Sequence, residues 1–450
     1  MKKLILASIL SFVTLLSCSI KDNTNSLELT QNLDYESLSY NEIGGKSYES
    51  FKIAPKIPKS KEERKAVKVT YLMTDDEAHQ SPWSGKMLLF MDDLPQKNVH
   101  NIVFRDGGKL DDSSIHYLTA GKDPLKVESP SSFLNDNIKE VQSNNPRVFS
   151  RILEWAFDNF PAKKRYLQIY THGGGVFGIG MDANQTDLTG KKLPNEELVT
   201  MITPQKFAEG LKQSLKGRKL DMIYFRACLM GNVEALYELR GIVDYALASE
   251  DVSYSKENSN LTMTKLFDDL ASKETEPKEL SYQMAIQAHG KTGAKDGYTT
   301  FAAIDINKMD ELKSAINVLS LSLISGLKTE KDAILSAYDA VPTIQGEDVA
   351  EKSSENMRDL WRFTAELDKK VQSKSIKDAV QQVRNAQKKA MIHEKDSFGS
   401  SANGLSIFMP FRENLKPDQG MYKFLNNGYL NRRFAKDSAW TKFLQQIPSK

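Results

Sequence analysis

Two short stretches hold side chains able to do chemistry. Tyr170-Thr171-His172-Gly173-Gly174-Gly175 sets an imidazole beside three glycines, and Phe225-Arg226-Ala227-Cys228-Leu229-Met230-Gly231 carries one of the chain's two cysteines. A thiol at its ordinary pKa of about 8.5 is mostly protonated near neutrality, and an imidazole beside it can take the proton. The sulfur is then a nucleophile and the imidazolium a proton donor, the pairing needed to cleave an acyl bond. The N–H groups of Gly173 and Cys228 could form an oxyanion hole, the glycine letting the backbone come close. A helix starting directly after Cys228 would add the positive end of its dipole and favour thiolate. Singly, each feature reads as structure: a small buried hydrophobe, a hydrogen-bonded histidine, a glycine turn. Jointly placed, they favour chemistry with Cys228 as nucleophile and His172 as base.

Competing chemistries lack their partners. His172-Gly173-Gly174-Gly175 also suits the oxyanion loop of an esterase, but no Gly-x-Ser-x-Gly elbow follows. His393-Glu394 has no second histidine at metallohydrolase spacing. Gly45-Lys46-Ser47 and Gly290-Lys291-Thr292 echo the end of a phosphate-binding loop, with Tyr40 and Ala285 where its first glycine belongs.

The elements that must position the two stretches are legible as alternation. Strands are expected at Val67–Met73, Val99–Phe104, Arg165–Tyr170, Leu220–Phe225 and Tyr245–Ala248. Helices are expected at Phe149–Phe160, Phe207–Leu215 and Met230–Leu239, the last closed by Gly241. Such alternation argues for a mainly parallel sheet covered on both faces, with functional groups at the carboxyl ends of strands. His172 and Cys228 both fall at such ends. Beyond about residue 310 the pattern turns helical, with a charged stretch over Lys369–Lys389 and a returning strand at Gly404–Pro410. The expected organisation is a body over 64–310 and a mostly helical region over 311–450.

The amino terminus accounts for the other cysteine. Met1-Lys2-Lys3 precedes an apolar run, Leu4–Leu16, that is short for a spanning helix and ends in Leu15-Leu16-Ser17-Cys18. This order is similar to a bacterial lipoprotein signal. The expectation is that residues 1–17 are removed, Cys18 carries lipid, and residues 18–63 tether an exported body to a membrane. Two cysteines exclude a disulfide framework. The 61 basic and 59 acidic residues nearly balance, and no basic stripe suits nucleic acid.

Several blocks together resemble the clostripain family of cysteine peptidases, which have a caspase-like α/β/α fold. They are Tyr71-Leu72-Met73-Thr74-Asp75-Asp76, Phe160-Pro161-Ala162, the His172 and Cys228 blocks with Val233-Glu234-Ala235, Ala248-Ser249-Glu250, Thr300–Asp305 and Gly404–Pro410. The resemblance spans about residues 66–410. It implies a His172/Cys228 dyad that hydrolyses peptide bonds of protein or peptide substrates and needs no cofactor. In the family an acidic residue two positions before the cysteine helps accept Arg or Lys before the scissile bond. Here that position is Arg226, whose charge opposes a basic side chain. Glu250 and Asp251 are the carboxylates expected near the same pocket, either facing the substrate or pairing with Arg226. Family members that mature by self-cleavage cut a loop matching Met181–Pro204, which contains Lys191-Lys192. For the calcium known in the family, Asp182, Asn184 and Asp187 are candidate ligands, though the EF-hand spacing fails. A catalytically inactive surface lipoprotein that uses the fold for binding is the alternative.

Overall fold

The structure is a computed structural model that describes residues 42–43, 46–47, 60–74, 97–107, 113–118, 125–127, 141–180, 182, 201–251, 253, 257–290, 300–342, 356–394 and 403–450. The signal-like segment, Cys18, most of the tether and most of the 181–204 loop lie outside these residues.

The longest apolar runs become the inner strands. β1 (Arg64–Met73), β2 (Val99–Asp106), β3 (Ser114–Leu118), β4 (Leu125–Val127), β5 (Ala162–Tyr170), β6 (Leu220–Arg226), β7 (Val243–Ser249), β8 (Phe301–Asp305) and β10 (Met391–Glu394) form one sheet. β9 (Met357–Asp359) and β11 (Ser406–Phe408) pair separately. Across the large sheet the order is β10-β8-β7-β6-β5-β1-β2-β3-β4. The five inner strands, β7-β6-β5-β1-β2, are parallel, and the two outer strands on each side join antiparallel. Strands buried on both faces read as near-continuous apolar runs, which is why the inner strands were the legible ones.

One face carries α1 (Pro146–Asn159), α2 (Pro204–Leu215) and α3 (Val233–Glu238). The other carries α4 (Glu257–Ser272) and α5 (Pro277–Gly290). Both α1 and α2 open on proline behind a capping side chain. Asn145 accepts the Arg147 N–H at 2.9 Å, and Thr203 accepts the Lys206 N–H at 3.4 Å. The C-terminal helices α6 (Met309–Gly326), α7 (Lys331–Asp339), α8 (Leu360–Lys370) and α9 (Lys374–Ala390) share one apolar core with α1, α2 and α3. The charged stretch over Lys369–Lys389 covers the end of α8 and most of α9, the two being separated where Val371 and Ser373 leave helical geometry.

Beneath α4 the sheet is polar. Lys68 on β1 pairs with Asp268 on α4, both buried, and the Gln168 Nε2 donates to Thr264 Oγ1 at 3.2 Å. Burial holds the Asp268 carboxyl above its ordinary value, outweighing the lowering by Lys68 beside it.

Candidate active site

The register of β5 and β6 sets the site. Tyr170 pairs with Arg226 at the carboxyl ends of these adjacent parallel strands, and the Thr171 N–H extends the ladder to the Arg226 carbonyl at 3.3 Å. Each chain then runs two residues further, to His172 on one side and Cys228 on the other. Strands in a sheet lie about 4.8 Å apart, so the two residues emerge side by side at one level. Both are buried.

The histidine loop folds back at once. Gly174 N–H donates to Gly178 O at 2.8 Å, and Gly180 N–H to His172 O at 2.9 Å. These bonds make Gly173 and Ile179 a non-hydrogen-bonded antiparallel pair, so the Gly173 N–H points away from that ladder. The Gly173 backbone lies on Cys228: a Cβ there would overlap the Cys228 carbonyl oxygen and come 3.1 Å from the Cys228 nitrogen. Only glycine permits this approach.

The cysteine loop is held by the chain leaving β7. Leu229, at φ 63°, donates its N–H to Asp251 O at 3.1 Å, and Gly231 N–H donates to Ser249 O at 2.7 Å. The Ser253 N–H reaches the Cys228 Sγ at 3.3 Å. The helix expected directly after Cys228 begins later, at Val233, and spans six residues. Asn232 caps it through the Ala235 N–H at 3.1 Å, so the helix does not start at the cysteine itself. The chain spends Leu229–Asn232 on close backbone contacts instead: a Cβ on Gly231 would lie 2.6 Å from the Glu250 nitrogen.

In this structure Cys228 is disulfide-bonded, and among the described residues no cysteine is a free thiol. The cysteine count did not anticipate this bond, because it excluded a framework and not a single bridge.

Of the residues expected at the pocket, Arg226 is buried with its guanidinium carbon 5.2 Å from the Tyr170 ring centre and 5.9 Å from that of Tyr224. Glu250 is fully buried, and its Oε1 accepts the Gly404 N–H. It also hydrogen-bonds Asp359, whose carboxyl burial pushes up to about 6. The Asp251 backbone accepts the Leu229 N–H at 3.1 Å and donates to Thr300 Oγ1 at 3.2 Å. Ser253 and Thr300 carried no role in the sequence reading. Their contacts join segments far apart in the chain, which no local pattern signals.

For calcium, the buried Asp182 lends Oδ2 to the Ser143 N–H at 3.1 Å, while Asn184 and Asp187 lie outside the described residues. Among the described residues no three His, Cys, Asp or Glu side chains form a metal-holding group. No described helix is long and apolar enough to cross a membrane.

A histidine and a cysteine ending adjacent parallel strands of such a sandwich define a class, the cysteine peptidases of caspase-like fold. The sequence matches the clostripain family over residues 91–446, and the chain belongs to that family and is a cysteine endopeptidase. Three solved structures share its fold. An inactive zymogen C11 protease from Parabacteroides distasonis is 16% identical with a TM-score of 0.59, covering 85% of this chain and 99% of that one. A secreted C11 cysteine protease from Bacteroides thetaiotaomicron, in complex with an irreversible peptide inhibitor, is 17% identical with a TM-score of 0.53, covering 82% and 98%. Another structure of a secreted C11 cysteine protease from that organism is 12% identical with a TM-score of 0.53, covering 84% and 99%. No curated protein matches the sequence.

Proposed function

We propose that the chain is an exported, lipid-anchored endopeptidase that uses Cys228 and His172 as a catalytic dyad. The observation that carries the reading is the register that brings both residues out at one level, with the Gly173 backbone against Cys228. His172 takes the thiol proton, and the sulfur attacks the scissile carbonyl. The oxyanion is accepted by the N–H groups of Gly173 and Cys228. His172 then protonates the leaving amine, and water hydrolyses the thioester. These steps need the reduced thiol. The sequence holds one other cysteine, Cys18, and a cysteine whose sulfur carries lipid has no thiol to offer. In the lipidated form Cys228 is therefore a thiol.

Arg226 sets the substrate preference in this reading. A buried guanidinium two residues before the nucleophile, stacked on Tyr170 and Tyr224, repels a lysine or arginine side chain approaching the sulfur. Glu250, committed through Oε1 to Gly404, serves the junction with the C-terminal region. The mature, reduced chain should cleave a mixed peptide library after neutral or acidic residues. Cleavage mainly after Lys or Arg would contradict the role given to Arg226. The same preference leaves Lys191-Lys192 a poor site for self-cleavage.

Export and anchoring rest on the amino-terminal order of basic residues, apolar run and Leu-Leu-Ser-Cys. Cys18→Ala should release the protein from the membrane fraction. Retention of that variant would point to another anchor.

A further inference from the structure

Thr300 stands just before β8, 2% exposed and away from the dyad in sequence. Its hydroxyl holds two points of the chain leaving β7. Ser249 Oγ lies 2.5 Å from Thr300 Oγ1, and the Asp251 N–H donates to the same oxygen at 3.2 Å. That chain is the strap along the cysteine loop. It accepts the Gly231 N–H at Ser249 O and the Leu229 N–H at Asp251 O, and it presents the Ser253 N–H to the Cys228 sulfur. The three contacts step along the two segments in opposite directions: 231 with 249, 229 with 251, and 228 with 253. Moving the strap at Asp251 therefore moves both the left-handed Leu229 and the donor aimed at the sulfur.

We propose that Thr300 is a positioning residue for Cys228, its hydroxyl fixing the strap so that the Ser253 N–H is held on the sulfur. A hydrogen bond to the charged form favours it, so this donor favours thiolate over thiol. It takes the place of the helix dipole that the short, late α3 does not supply. The inference rests on the reading of Cys228 as the nucleophile and adds a group that acts through it.

The test is the pH dependence of Cys228 alkylation by iodoacetamide in the full, reduced chain, measured beside peptide cleavage. Thr300→Val keeps the shape and removes the hydroxyl. Its alkylation midpoint should rise by about one pH unit, which is roughly a tenfold loss of thiolate on the acid side of the midpoint. kcat should fall with it while KM stays close to the parent value. Thr300→Ser, which restores the hydroxyl, should bring the midpoint back. The rise should persist in a His172→Ala background, because the strap acts on the sulfur directly. An unchanged midpoint in folded Thr300→Val, with cleavage intact in the parent, overturns the inference and leaves the dyad standing. Absence of Cys228-dependent cleavage in the parent, with alkylation no faster than a free thiol, overturns the dyad and the inference with it. If Thr300→Val does not fold, Ser249→Ala carries the decision: it removes the hydroxyl partner alone and should raise the midpoint in the same direction, and an unchanged value there overturns the inference.

Discussion

Gly173 is where chemistry and sterics meet most closely. Its missing side chain lets one backbone lie on another, and its N–H is turned out of the local ladder. Gly173→Ala should therefore do more than strain a loop. The added methyl must push the histidine loop off Cys228 and withdraw one oxyanion donor. Loss of such a donor costs kcat roughly 10²–10³-fold elsewhere. We expect a loss of that order, measured as kcat on a peptide substrate. A variant with near-parent kcat would remove Gly173 from the oxyanion hole. The residues of the proposed dyad and the glycine stand in short blocks at strand ends, which is what made them legible in the sequence. The partners of the sulfur were not. Ser253 N–H is a backbone group, and Thr300, although it opens one of the resembling blocks, acts on a neighbouring segment some fifty residues away, so neither contact with the cysteine loop shows in the local pattern.

At the scale of elements, apolar periodicity found the inner strands and missed the rims. β1, β5, β6 and β7 are buried on both faces and announce themselves, while β3, β4 and β10 are short antiparallel additions with mixed residues. Helices α1 and α2 begin three residues before their first large aromatic, because the opening turn is set by a cap and a proline. The element after Cys228 differed most. α3 is short, and its work is to dock the returning strand. Glu234 on α3 is fully buried, and its Oε1 accepts the Phe408 N–H of β11 at 3.0 Å and the Tyr429 hydroxyl at 2.8 Å. Burial pushes its carboxyl from an ordinary 4.5 up to about 7. Because the folded value lies above the unfolded one, the native state binds the extra proton between these limits. The contribution of Glu234 to stability is then fully present below about pH 4.5 and is lost as pH rises toward about 7. Glu234→Gln imitates the protonated acid and keeps the accepting oxygen. Thermal or denaturant melts should show that this variant lacks the fall and gains up to about 3 kcal/mol at pH 8. Parallel pH profiles for parent and variant would contradict the assignment.

Across the whole molecule, the C-terminal region is part of the same core and supplies donors to carboxylates around the site. Gly404 N–H serves Glu250, Phe408 N–H serves Glu234, and Arg433 N–H serves Glu238 at 2.7 Å. Ser406 N–H also holds the Gly231 carbonyl at 2.9 Å, directly behind the cysteine loop. Removing residues 404–450 would leave three buried carboxylates stripped of these partners, each costing several kcal/mol. A chain ending at residue 403 should show no cooperative thermal transition. A sharp transition near the parent temperature would mean that the body over 64–310 stands by itself. The sequence pattern marked Gly404–Pro410 as a strand but could not say what it touches, since its partners, β9 as well as Gly231, Glu234 and Glu250, lie far from it in the chain. The central claim of the account is that Cys228 does the cutting, and it is tested most directly by comparing parent and Cys228→Ala on one peptide library under reducing conditions, with and without calcium. The account predicts cleavage by the parent and none by Cys228→Ala; equal cleavage by both, or none by either, would contradict it.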